Sequence, residues 1–219
     1  MKITSSIRGI ASKLKACGVV ISGHFCLKSG FHSLYYVAKE NIVANPALLS
    51  ELCFELALQF KEDRIETVIA PAVLGGPIAH AVALHLASLT GKTVNAVIAE
   101  KCQDGGFMIG RSYPNYVQGR KVLIVDDVAT KGTTIRELMQ VAWKLGATVV
   151  GVGVLIDRSG GERPIFKVRK FYALISLGLP TYEKGRKTCP GCRKEQALSK
   201  THGHSKRKGL YDRAQMFRV

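Results

Sequence analysis

The segment Lys121-Val122-Leu123-Ile124-Val125-Asp126-Asp127-Val128-Ala129-Thr130-Lys131-Gly132-Thr133-Thr134 constrains this chain more than any other. Its apolar run reads as a buried strand of a parallel sheet. A turn rich in Thr and Gly follows, and helical spacing begins at Ile135. In open α/β sheets, ligands bind just beyond the carboxyl ends of the strands. Asp126 and Asp127 stand at that edge. The turn supplies backbone N–H groups, small hydroxyls and a helix N-terminus, a combination that suits a phosphate. Two carboxylates beside an anion cradle would repel a bare phosphate. They fit if they hold sugar hydroxyls or a metal while the turn holds the phosphate, as a phosphorylated ribose requires. An ordinary strand–turn–helix with solvated acids is the plainer alternative.

The rest of the chain repeats the alternation. Thr67 to Ala70, Thr93 to Ala99, Thr148 to Ile156 and Phe171 to Leu177 read as further strands. Asn45-Pro46 is a helix start, with a capping side chain followed by Pro at the first helical position. Leu48, Leu49, Leu52, Leu56 and Phe60 continue it at helical spacing. A second helix runs from Ile78 towards Leu89, and a third from Ile135 to Leu145, closed by Gly146. The expected fold class is α/β, a mainly parallel sheet flanked by helices. Ile3, Ile7, Ile10, Ala11 and Leu14 mark an amphipathic first helix, and residues 19–37 read as a hairpin turning at Ser29-Gly30. The expected division is 1–62 (amino-terminal segment and first helices), 63–180 (α/β core) and 181–219 (basic tail).

Charge bears on partners. The 219 residues carry a formal net charge of +16. From Thr181 onward eleven basic side chains face three acidic ones, so half of the excess lies in the tail. Such a tail permits nucleic-acid contact, but a solvated tail is the simpler reading, and nucleic acid is not an expected partner. The remaining excess suits a protein that handles small polyanions. No apolar run reaches the length of a membrane span, and the amino terminus lacks a convincing signal peptide, so the expected location is cytoplasmic.

The segment from Val122 to Thr134 resembles the phosphoribosyl pyrophosphate signature of the type I phosphoribosyltransferases. Phe25-Cys26-Leu27-Lys28-Ser29-Gly30, followed by Ser33, Tyr35 and Tyr36, resembles the amino-terminal segment of the orotate-using members, and Asp157-Arg158 resembles their base-binding pair. The resemblance covers most of residues 20–192. It implies the type I fold with an amino-terminal hood over the strand ends, to which part of the tail can add. It implies transfer of phosphoribosyl from phosphoribosyl pyrophosphate to orotate with Mg²⁺ as cofactor, the metal held mainly by substrate. By the same resemblance, Lys28, Asp126, Asp127, Val128, Ala129, Thr130, Lys131, Gly132, Thr133 and Thr134 bind phosphoribosyl pyrophosphate. Thr130, Arg158 and Tyr36 bind orotate, and Tyr35 lies near the base. Asp127 and Lys101 serve catalysis, with Arg111 a further candidate. The implied assembly is a homodimer sharing the loop after residue 100. Three positions depart from the family pattern. Lys131 stands where Thr is usual, Leu74 where many orotate enzymes carry lysine, and the loop at 100–113 is short and sparse in cations. A related enzyme for another base, or a non-catalytic regulator that senses phosphoribosyl pyrophosphate and binds nucleic acid, remains open.

Six cysteines are present. Without a secretory signal, free thiols are expected rather than a disulfide framework. Cys189 and Cys192, in Cys-Pro-Gly-Cys with His202 and His204 downstream, are candidate zinc ligands; a redox pair or an inert turn fits the same spacing.

Overall fold

The computed structural model describes residues 5–27, 29–103, 105–159 and 168–203. The chain divides into two compact units, one of residues 1–19 and 39–178, the other of 20–38 and 179–219. The first helix and residues 39–62, which the sequence reading grouped with the hairpin, thus belong with the sheet-bearing unit. The hairpin belongs with the tail.

The larger unit contains α1 (Ser5–Ala16), and its counterpart contributes β1 (Val20–Cys26) and β2 (His32–Val37) next in the chain. The larger unit resumes with α2 (Glu40–Val43), α3 (Pro46–Phe60), β3 (Thr67–Pro71), α4 (Gly75–Thr90), β4 (Asn95–Lys101), β5 (Phe107–Met108), a 3-10 turn at Tyr113–Tyr116, β6 (Lys121–Ala129), α5 (Thr133–Lys144), β7 (Thr148–Asp157) and β8 (Lys170–Ser176). Its sheet has six strands in the order β5-β4-β3-β6-β7-β8. All its pairings are parallel except the short β4–β5 pair. Asn45 caps α3 by accepting the Leu48 N–H at 3.1 Å, with Pro46 at the first helical position, as the sequence implies.

β6 lies inside the sheet, and the pleat sorts its side chains. Val122 and Ile124 join Ile135, Leu138, Met139, Val152 and Val154 in the core beneath α5. Leu123 is in register with Gly151 and Val125 with Gly153, and those glycines face α3. A Cβ at Gly151 would lie 2.7 Å from Phe60 Cε1, and one at Gly153 would lie 3.1 Å from Leu56 Cδ1. Glycine therefore lets α3 settle directly on β7.

The smaller unit is built on a three-stranded antiparallel sheet, β1-β2-β9, where β9 is Thr181–Tyr182. The β1–β2 turn carries Gly30 at φ +83 and closes with Leu27 N–H to the Phe31 carbonyl at 2.8 Å. A four-residue helix, α6 (Pro190–Arg193), follows in the tail. Among the described residues, no helix is long and apolar enough to cross a membrane.

Candidate active site

The carboxyl end of β6 assembles the site of the larger unit. Alternation along a strand sends successive side chains to opposite faces. Asp126 therefore shares the α5 face with Val122 and Ile124, and Asp127 shares the α3 face with Leu123 and Val125. The two carboxylates, adjacent in sequence, do different work. Asp126 lines a cleft of about 80 Å³ together with Val128, Ala129, Thr130, Gly132, Thr133 and Thr134. A water occupies about 30 Å³ of liquid, so the cleft has the size of a phosphoryl group rather than of a nucleotide. Asp127 turns away and accepts an ion pair from Lys39 Nζ at 2.6 Å.

Both acids are nearly inaccessible, at 7% and 5% exposure. Asp126 keeps one oxygen on the Asp127 backbone N–H at 2.8 Å. Burial first, and the neighbouring Asp127 charge second, push the Asp126 carboxyl well above the usual carboxylate range. Burial alone would lower the Lys39 ammonium, but Asp127, with smaller help from Asp126 and Glu40, outweighs it and raises it. Lys39 was not singled out in the sequence. It sits immediately before α2, 88 residues from Asp127, and no pattern around it signals a counterion.

The turn after β6 is tied by its own residues. Gly132 takes φ +68 at the start of α5, where a left-handed residue is needed. The Arg136 guanidinium donates to the Lys131 carbonyl at 2.8 Å, and the Arg136 N–H to the Gly132 carbonyl at 3.0 Å. No side chain caps α5, so its first-turn amides are available to an anion. Thr130, Lys131 and Thr133 are exposed at the rim.

Next to this cradle, β7 ends in register, Ala129 opposite Asp157, and the Arg158 N–H donates to the Ala129 carbonyl at 2.8 Å. Asp157 accepts the Ser159 N–H at 2.8 Å and closes the bend. A carboxylate, an anion turn and a guanidinium-bearing residue therefore stand on neighbouring strand ends.

A phosphoribosyl transferase domain model matches residues 38–181 of this chain. The chain belongs to the phosphoribosyltransferase family. Curated relatives include the orotate phosphoribosyltransferase of Desulforamulus reducens, 37% identical over 175 residues that cover 80% of this chain and 85% of the relative. That of Thermus thermophilus is 35% identical, covering 80% and 90%. Among solved structures, the orotate phosphoribosyltransferase of Aeropyrum pernix aligns with a TM-score of 0.62 at 28% identity, covering 77% of this chain and 93% of that one. An adenine phosphoribosyltransferase from Rhodothermus marinus aligns with a TM-score of 0.58 at 20% identity, which reflects the shared fold alone.

The other family-implied residues fall at varied distances from the cradle. Lys101 ends β4, exposed, two strand positions from β6, or about 10 Å across the sheet. The segment after it returns as β5, with Lys101 opposite Phe107 and Glu100 opposite Met108. Arg111 is spent on Glu100 at 3.5 Å, on the surface. Gly75 and Gly76, which open α4, have a packing reason. A Cβ at Gly75 would stand 2.9 Å from Ala70 Cβ and Pro71 Cδ, and one at Gly76 3.0 Å from Ile98 Cδ1. Leu74 precedes α4 and brings no cation. Tyr36 belongs to the smaller unit, where its ring lies 5.5 Å from those of Phe25 and His202. Tyr35 is exposed there, and Lys28 lies outside the described residues. A larger hollow of about 560 Å³, lined by His80, Leu84, Thr93 and Asn95 among others, opens at the amino end of β4, away from the ligand edge.

Proposed function

We propose that this chain is an orotate phosphoribosyltransferase of pyrimidine biosynthesis. An orotate ring nitrogen attacks the anomeric carbon of phosphoribosyl pyrophosphate, the bond to pyrophosphate breaks, and orotidine 5′-monophosphate forms. The observation that carries the reading is the shared strand edge. Asp126 and the Thr130–Thr134 turn line one phosphate-sized cleft, and Arg158 stands on the adjoining strand end. The likeness to orotate enzymes at 35–37% identity supports the choice of base.

In this reading the turn holds the 5′-phosphate through α5's first amides and the hydroxyls of Thr130, Thr133 and Thr134. Asp126 accepts a ribose hydroxyl. Asp127, held by Lys39, keeps negative charge beneath a sugar that becomes cation-like as the bond to pyrophosphate lengthens. Arg158 takes the orotate carboxylate in a forked pair of hydrogen bonds, with Thr130 as a further base contact. Lys101 serves the pyrophosphate. Mg²⁺, carried by substrate oxygens, supplies charge neutralisation of that leaving group. The active form is a homodimer that shares the loop after residue 100, and the setting is the cytoplasm.

The test is a base panel. Purified protein is incubated with phosphoribosyl pyrophosphate, Mg²⁺ and one of orotate, uracil, adenine or hypoxanthine, and nucleotide is resolved by chromatography. Orotate alone should be consumed. Turnover of a purine without orotate turnover would overturn the assignment.

A further inference from the structure

Four side chains of the smaller unit converge on one point. The hairpin strands β1 and β2 bring His24 and His32, and the tail brings Cys189 and Cys192 at the ends of a Cys-Pro-Gly-Cys knuckle. One nitrogen or sulfur of each lies within 4.8 Å of the other three. Three of the four residues are buried and Cys192 is partly so, and both cysteines are free thiols. From these contacts we infer a structural zinc site with the ligands His24 Nε2, His32 Nδ1, Cys189 Sγ and Cys192 Sγ.

The distances suit one tetrahedral ion. Zinc bonds of about 2.05 Å to nitrogen and 2.3 Å to sulfur, at tetrahedral angles, separate N from S by about 3.6 Å and the two nitrogens by about 3.3 Å. The nitrogen–sulfur separations are 3.4 Å for Cys189–His24, 3.8 Å for Cys192–His24 and 3.3 Å for Cys192–His32. The two nitrogens are 2.9 Å apart. A cluster of two irons with the same residue set places its histidines and cysteines on different metals. His24 Nε2, within 3.8 Å of both sulfurs, leaves no room for a second metal between it and the cysteines.

The surroundings orient the set. His24 Nδ1 lies 2.7 Å from the Gln196 carbonyl. A carbonyl only accepts, so Nδ1 carries the proton and Nε2 presents its lone pair to the cysteines, the usual outer-shell arrangement of a metal-bound histidine. Gly191 lies against the same ring. A Cβ there would come within 2.6 Å of His24 Cγ and Cδ2, so glycine lets the knuckle close on the imidazole. The Arg193 N–H to Cys189 carbonyl bond at 3.0 Å completes the knuckle turn. Four protein ligands leave no open position, so the role is structural rather than catalytic. The need is plain. Among its described residues this unit buries few large apolar side chains, Phe25 and Val37 among them, and small units with thin cores commonly depend on a metal or a disulfide. His202 is not among the partners. His202 packs on Tyr36 and contacts Thr201, and His204 lies outside the described residues.

The test uses the full chain, expressed with zinc in the medium and purified without chelator. Elemental analysis should find about one zinc per chain, lost in the Cys189→Ser/Cys192→Ser variant and kept in Cys17→Ser/Cys102→Ser. Because the first variant may misfold, cobalt is also exchanged into the wild-type chain. Tetrahedral ligand-field bands and thiolate charge transfer should appear, with the charge transfer weakened in the single variant Cys192→Ser. Wild-type protein holding less than a tenth of an equivalent of metal, or cobalt bound only with an octahedral spectrum, would overturn the site.

Discussion

Replacing Asp126 by Asn should stabilise the protein at neutral pH while crippling substrate binding. Asn keeps the shape and the oxygen that accepts the Asp127 N–H, and it removes the charge. The native Asp126 carboxyl titrates above its unfolded value because burial and the Asp127 charge disfavour ionisation. A raised carboxyl pKa means that the folded state binds the proton more tightly than the unfolded chain does. Stability is therefore unaffected below the unfolded pKa near 4, and falls as pH climbs through the window up to the folded value. Each unit of elevation costs about 1.4 kcal/mol. In a chain of this size that is roughly 3–5 °C of melting temperature per unit. D126N escapes this cost, so its melting temperature should exceed the wild type's by several degrees at pH 8, with the gap closing towards pH 4. Differential scanning fluorimetry across that range, without ligand, reads the effect. In the same protein, loss of a charged acceptor for a ribose hydroxyl, worth about 1.5–3 kcal/mol, should lower kcat/KM by roughly 10- to 100-fold. A gap independent of pH, or a D126N protein less stable than wild type at pH 8, would refute the reasoning.

Lys39→Met leaves the buried Asp127 without its 2.6 Å partner. It should cost about 1–3 kcal/mol in urea unfolding, less than a fully buried pair because the ammonium is partly solvated. Gly151→Ala pushes a methyl to 2.7 Å from Phe60 and 3.1 Å from the Lys170 carbonyl. It should lose about 1–3 kcal/mol, and Phe60→Leu in the same chain should recover part of that loss. Arg158→Lys should raise the orotate KM by about tenfold or more while leaving the KM of phosphoribosyl pyrophosphate near wild type, since a point charge replaces a planar fork; steady-state kinetics with each substrate varied decide it.

Legibility followed locality. Asp126 to Thr134 lie within nine consecutive residues, and local pattern was enough to read a strand end, an anion turn and a helix start. Arg158 was legible because it closes a long apolar strand. Asp126 and Asp127 are adjacent in sequence, and local pattern does not show that the pleat sends them to opposite faces with different neighbours. Lys39, His24 and His32 carry no local signal, because each acquires its meaning from a partner far along the chain. Gly75 and Gly76 showed the reverse difficulty. Glycine between strand and helix suits an anion and a tight helix–strand contact equally, and only the neighbouring Ala70, Pro71 and Ile98 reveal the second. β5 is too short for any periodicity to announce it.

The smaller unit is written in two instalments. The Ser33 hydroxyl donates to the Pro180 carbonyl 147 residues later. At about 5–20 residues per second, a ribosome needs roughly 7–30 s to make that interval. Throughout it the nascent hairpin exposes the edge of β2 that β9 will cover, while the inserted sheet unit is being completed. Truncation before Thr181 would therefore strip β2 of its second partner, and an unpaired edge of this kind invites pairing with other chains. The two residues of β9 thus decide whether a strand made long before them is safely folded.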